Sequence, residues 1–213
     1  MDLLPLNDAA VGARAEIRSL RANVTQEEAL AALDSRSGLL RGRLRQIAPA
    51  YLPFRLYHVE VANRGATKVG LYGADAVSGQ LDLYEFDAAP AASDLITLTT
   101  RNAPVARIAE SLALELLENK VRRAVFQTGF FGVRGLQIRA RPLDVEFHVP
   151  YWLGFFGNGE RATLQAMDAV RRSFEGAKAR AIFSDWLQEV PEDRESDRSA
   201  RTPGPASGGG RSS

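Results

Sequence analysis

Apolar and polar positions alternate with period two in two separate stretches, "LRGRLR" (Leu40–Arg45) and "LQIRAR" (Leu136–Arg141). Leu40 and Leu44, or Leu136, Ile138 and Ala140, fall on one side, and the arginines between them fall on the other. That alternation predicts a half-buried strand in each place. Further on, "FRLYHVEV" and "ATKVGLY" flank Ala62–Gly65, and "YWLGFF" and "RATLQAM" flank Gly157–Glu160. Both arrangements predict hairpins, and Asn158-Gly159 is the stronger turn signal because both residues tolerate positive φ. Pro53 and Pro150 are read as strand entries, where a missing ladder donor is tolerated.

Helical spacing appears between these runs. Thr25-Gln26-Glu27-Glu28 has the form of a capping box, so a helix is predicted from Gln26. Asn102 as cap and Pro104 in the first turn predict a second helix through Val105–Phe126, with Ile108, Leu112, Leu116 and Val121 near one stripe. Phe174, Ala177, Ala181, Ile182 and Trp186 suit a closing helix, and Asp8–Arg21 reads as one at the N-terminus. "LDLYEF" (Leu81–Phe86) and "DLITLTT" (Asp94–Thr100) read as strands. From Pro191 to Ser213 the chain is polar and rich in Gly, Ser and Pro, which predicts a disordered tail.

The two halves repeat one order of features. Leu136 follows Leu40 by 96 residues, Pro150 follows Pro53 by 97, and Asp168 of the second Asp-Ala-Val follows Asp75 of the first by 93. The smaller last offset implies a shorter hairpin in the second copy. The predicted fold is α+β: two tandem repeats of helix plus antiparallel hairpin, with helices packed on one face of the sheet. The boundaries expected are 1–100 for the N-terminal helix and first repeat, 101–190 for the second repeat with its closing helix, and 191–213 for the tail.

Glu27–Leu30 on the capped helix, Leu56–Val61 on the strand and Asp75–Gln80 at the exit together resemble the PepSY module, a helix, a hairpin and a terminal Asp-Ala-x-x-Gly. Cystatin-like α+β modules share this general outline. The second copy keeps Asp168-Ala169-Val170 but has no glycine where the first has Gly79. The resemblance implies a non-catalytic module that regulates or inhibits peptidases.

Composition narrows the functional classes. The 213 residues include no cysteine, which removes disulfides, thiolate nucleophiles and Cys-ligated metal sites. With no secretory signal recognised at the N-terminus and no long apolar run, a cytoplasmic location is expected. No lysine follows a glycine, so the phosphate-binding loop G-x-x-x-x-G-K is absent, and "GFFGVRG" (Gly129–Gly135) does not match the dinucleotide fingerprint. The two histidines, His58 and His148, lack metal-ligand spacing. Asp75 and Asp168 are the paired acids that suggest hydrolysis, against the reading that each caps its own turn. No catalytic, cofactor-binding or metal-binding residue is assigned.

The net charge is +1, yet Ser35–Val59 and Asn119–Leu143 contain bases and no acid. Arg41, Arg43 and Arg45 in the first strand, with Arg139 and Arg141 in the second, are therefore the candidate anion-binding residues. The function expected is that of a non-enzymatic binding or regulatory protein with a protein or peptide partner. The alternative is an anion or nucleic-acid binder built on the paired arginine strands.

Overall fold

The computed structural model describes residues 14–38, 42–127, 135–158 and 162–189. Its elements in chain order are β1 (Ala15–Leu20), α1 (Gln26–Asp34), β2 (Leu44–Asn63), β3 (Ala66–Asp75), β4 (Tyr84–Phe86), β5 (Leu95–Thr100), α2 (Glu110–Gln127), β6 (Gln137–Phe156), β7 (Thr163–Asp168), β8 (Ser173–Phe174) and α3 (Ala177–Glu189). The tail 191–213, Arg41 and most of "GFFGVRG" lie outside the described residues.

All eight strands join one sheet, in the order β4-β3-β2-β6-β1-β5, with β7 on β6 and β8 on β7. This corrects the expectation of two tandem helix-plus-hairpin repeats. The reason lies in β2 and β6, which are 20 residues each and pair antiparallel from Leu44↔Phe156 to Ala62↔Gln137. In the second half the alternating arginine run and the first hairpin arm are thus one continuous strand; in the first, only Leu44 and Arg45 of Leu40–Arg45 belong to β2, Gly42 and Arg43 preceding it and Leu40 and Arg41 lying outside the described residues. A strand so long and so apolar at its centre hides both faces, and the partner it finds is the equivalent strand of the other half.

The repeated segments meet head to head. Leu52 pairs with Val149, its equivalent at the sequence offset of Pro53 to Pro150, and neither side chain is accessible. Around that pair the ladder reads alike from either end, with Tyr51 opposite Pro150 and Pro53 opposite His148. Each hairpin then opens in the same register, Phe54↔Asp75 and Tyr151↔Asp168. The carbonyls of Pro53 and Pro150 accept from Ala76 N (2.8 Å) and Ala169 N (3.0 Å). The prolines are therefore interior to their strands rather than at the entries. Each sits where its hairpin ladder begins, on the side where β3 or β7 has already ended and no donor is required.

The helices lie on both faces of the sheet, not one. Ala50, Leu52, Phe54 and Leu56 of β2 form a core with Ala179, Ile182, Phe183 and Trp186 of α3. The opposite parity carries Ile47 under α1 and Tyr57 and Val59 under α2. α1 covers the start of β2 together with Phe156, Met167 and Ala169 of the second hairpin. α2 covers Tyr57, Val59 and Ala74 of the first hairpin. Each helix thus packs across the halves.

The expected N-terminal helix is instead β1, because Ile17 and Leu20 are buried as the strand pairs with β5 and, at Ser19↔His148, with β6. The residues of Asp8–Arg21 before Arg14 lie outside the described residues. α2 begins at Glu110 rather than near Asn102. Asn102 is held elsewhere, its side chain donating to the Pro49 carbonyl (2.9 Å) and its carbonyl accepting from Tyr51 N (2.8 Å). The capping box of α1 is present as expected, Thr25 Oγ1 accepting from Glu28 N and Glu28 accepting from Thr25 N.

The first hairpin closes in two residues, Arg64 and Gly65, both at positive φ (55° and 79°) as a type I′ turn requires. The second, despite its Asn-Gly, leaves a longer connection between Phe156 and Thr163. Gly157 N donates to the Arg43 carbonyl and Arg45 Nε to Asn158 Oδ1, so Gly157 and Asn158 are tied to the start of β2.

Candidate functional site

The long antiparallel ladder settles where the arginines go. Arg43 just before β2 and Arg45 at its start are exposed, while Arg139 and Arg141 are exposed on β6 opposite Glu60 and His58. Fifteen residues of β2 separate Arg45 from Glu60, roughly 50 Å of strand at about 3.3 Å per residue. The two basic rows do not form one surface, because the strands run in opposite directions and carry their starts to opposite ends. Arg41 falls outside the described residues.

Asp75 and Asp168 are both buried at the ends of their hairpins. Asp75 Oδ1 accepts from Ser78 N (2.7 Å), Ser78 Oγ (3.0 Å) and Gly79 N (2.9 Å), and Oδ2 accepts from Leu81 N (2.9 Å). Asp168 Oδ1 accepts from Val170 N and Arg171 N, both at 2.8 Å, and Oδ2 accepts from the Tyr84 hydroxyl. Each carboxylate closes the turn that follows its strand, so both are committed to the backbone. Gly79 stands at φ 67° in the first turn and Arg172, at the equivalent place, at φ 58° in the second. The turn is thus kept even where the glycine is lost.

Tyr84 joins opposite margins of the sheet. It comes from β4, the terminal strand beyond β3, yet its hydroxyl reaches Asp168 on β7, which means that the sheet curls over its α3-covered face. Burial and the Asp168 carboxylate push the Tyr84 hydroxyl far above the usual phenol range. The Arg171 guanidinium lies 3.3 Å from the centroid of the Tyr84 ring and donates to the Leu83 carbonyl at 3.0 Å.

Beside this junction is a polar cavity of about 280 Å³, lined by Asp82, Tyr84, Tyr151, Arg171, Ser173 and Glu175 among others. Burial, then the Asp168 charge, raises Glu175 above the ordinary glutamate range. Tyr151 is 2% exposed and packs edge-on against Phe183 at 5.3 Å. Neither Tyr84 nor Glu175 was a candidate from the sequence. Asp168 was the one available signal, since a residue kept in both halves had a second partner to find.

His148 sits against the Arg18 carbonyl, and burial holds its imidazole below the usual range. His58 lies 3.9 Å from Glu60. Among the described residues no three of His, Asp or Glu are grouped to hold a metal ion.

The margins of the sheet differ. β4 has three residues and β8 two, whereas β5 presents six, Leu95–Thr100. Among the described residues no strand pairs with the outer side of β5. Its sequence, LITLTT, has no charge, proline or glycine. Thr97 and Thr99 are exposed, and Ile96 and Leu98 are half-buried. No helix among the described residues is long and apolar enough to cross a membrane.

Comparison of the chain with protein-family models, with curated proteins and with solved structures finds no match.

Proposed function

We propose that this protein is a non-catalytic binding module that takes an extended segment of a partner protein as an added strand along β5. The observation that carries this reading is the open edge itself. Unpaired N–H and C=O groups on a sheet margin template another strand, and edges that must stay free are ordinarily shortened, charged or broken by proline. β4 and β8 are short; β5 is six residues long and has none of these guards. It is also held firmly, with every residue from Leu95 to Thr100 in register with β1. In strand addition the main chain supplies affinity and alternate side chains supply selectivity, so Ile96 and Leu98 favour a peptide with apolar residues at every second position. The commitment of Asp75 and Asp168 to turn amides supports a binding role over hydrolysis. The resemblance to PepSY modules implies the same kind of role, and the absence of cysteine suits work in the reducing cytoplasm.

Selection from displayed random decapeptides, followed by synthesis of the winners with N-methyl groups on alternate residues, tests the reading. The expected result is that one of the two N-methylated sets loses binding and that the peptide slows amide exchange at Leu95–Thr100. Unchanged binding by both sets, or protection confined to another surface, overturns it.

A further inference from the structure

We infer that the polar cavity beside Tyr84 is a binding site for a small primary ammonium ligand, with the Glu175 carboxylate as counter-ion and the Tyr151 and Ser173 hydroxyls as further acceptors. Most of the polar groups around the cavity already have partners. Lys178 Nζ is paired with Asp82 Oδ1 at 3.1 Å. Arg171 covers the Tyr84 ring and donates to the Leu83 carbonyl. Asp168 accepts from two amides and from Tyr84.

Besides the exposed Ser173 hydroxyl, two lining groups remain without a partner among the described residues. One is the Glu175 carboxylate, whose backbone is fixed on both sides: its N–H donates to the Ala166 carbonyl at 2.9 Å, and its own carbonyl accepts from Gln165 Nε2 at 3.0 Å. The other is the Tyr151 hydroxyl, which belongs to a residue 98% buried in the core and yet opens onto the cavity. That hydroxyl makes no hydrogen bond within the described residues, and the cavity is the side from which a partner reaches it.

The chemistry of these groups selects the ligand. The uncommitted charge is negative, and a half-buried carboxylate is stabilised by a cation that also donates hydrogen bonds. A primary ammonium has three donors for one carboxylate and two hydroxyls. A calcium ion asks for six to eight oxygens, more than these groups supply. A quaternary ammonium asks for open aromatic faces, and the Tyr84 face is under Arg171. A cavity of about 280 Å³ is at the small end of ligand sites, which limits the ligand to a compact amine. Asp168, Asp82 and Arg171 are the charged groups that face Glu175, and the two acids outnumber the base. Binding therefore strengthens as pH rises through the titration of Glu175 and persists until the amine itself deprotonates near about pH 10.

Titration of the intact protein with n-butylamine, n-butanol and tetramethylammonium, followed by amide NMR shifts, tests the site. Expected is saturable binding of butylammonium at the amides of residues 168–176, with the alcohol and the quaternary cation weaker by about tenfold or more, the scale of one charge-assisted hydrogen bond. Glu175→Gln is expected to lose about tenfold or more, and Tyr151→Phe, which keeps the ring against Phe183, a smaller factor at unchanged melting temperature. Equal binding of tetramethylammonium, unchanged affinity in Glu175→Gln, or no saturation with butylammonium overturns the site. The β5 edge has no part in any of these outcomes.

Discussion

Tyr84 concentrates the single-residue consequences of the curled sheet. Its hydroxyl is the donor to Asp168 Oδ2, so Tyr84→Phe leaves a buried carboxylate oxygen without that bond. The expected loss is about 2–3 kcal/mol of unfolding free energy by denaturant titration, since the hydrogen bond is to a charged group. Glu175 acts on pH dependence instead. Its folded pKa is raised by burial and by Asp168, so the folded state holds a proton that the unfolded chain releases at lower pH. Its share of stability is therefore intact at low pH and is lost as pH rises from the ordinary glutamate range through the raised value. Glu175→Gln is expected to flatten that part of a stability-against-pH profile and to leave the mutant relatively more stable at neutral pH. The sequence pointed to Asp168 through its repetition but was silent on Tyr84 and Glu175. Tyr84 follows no pattern shared with the second half, and its contact exists only because the sheet curls.

Among the elements, α1 was legible because its start is a local device. The reciprocal bonds of Thr25 and Glu28 depend on three residues of spacing and on nothing distant. Thr25→Ala is expected to cost about 1 kcal/mol, read as a shift of the denaturation midpoint with unchanged slope. The hairpin arms were legible for the same reason, through alternation and turn residues. β1 was not, because Ala15–Leu20 becomes a strand only by lying between β5 and β6, and tertiary pairing overrides local preference. Asn102 and Pro104 misled in a related way: the helix starts only at Glu110, and Asn102 instead satisfies the β2 backbone at the Pro49 carbonyl and the Tyr51 N–H. Arg45, Arg139 and Arg141 were placed correctly on strands, whereas Arg43 lies just before β2. That they sit at opposite ends was hidden, because alternation gives the face of a residue but not the direction of its neighbour.

For the whole molecule, the repeat in the sequence was real as a pattern of strands and misleading as a plan of two tandem helix-plus-hairpin repeats. Two similar segments are usually pictured side by side, but here each long strand uses the other as its partner, and α1 and α2 pack across the halves. The core under α3 is drawn from both β2 and β6 as well as β7, so neither half has a complete interior of its own. The proposed peptide edge at β5 and the cavity beside Tyr84 both hang on this shared sheet. Residue-resolved native-state hydrogen exchange tests it most directly. The account requires the amides that bridge β2 and β6 between Ala48 and Phe54, and between Phe147 and Leu153, to be the slowest in the protein and to open together at one free energy, as a single cooperative unit. Two groups opening independently, one within residues 44–75 and one within 137–168, with fast exchange where β2 meets β6, would contradict it.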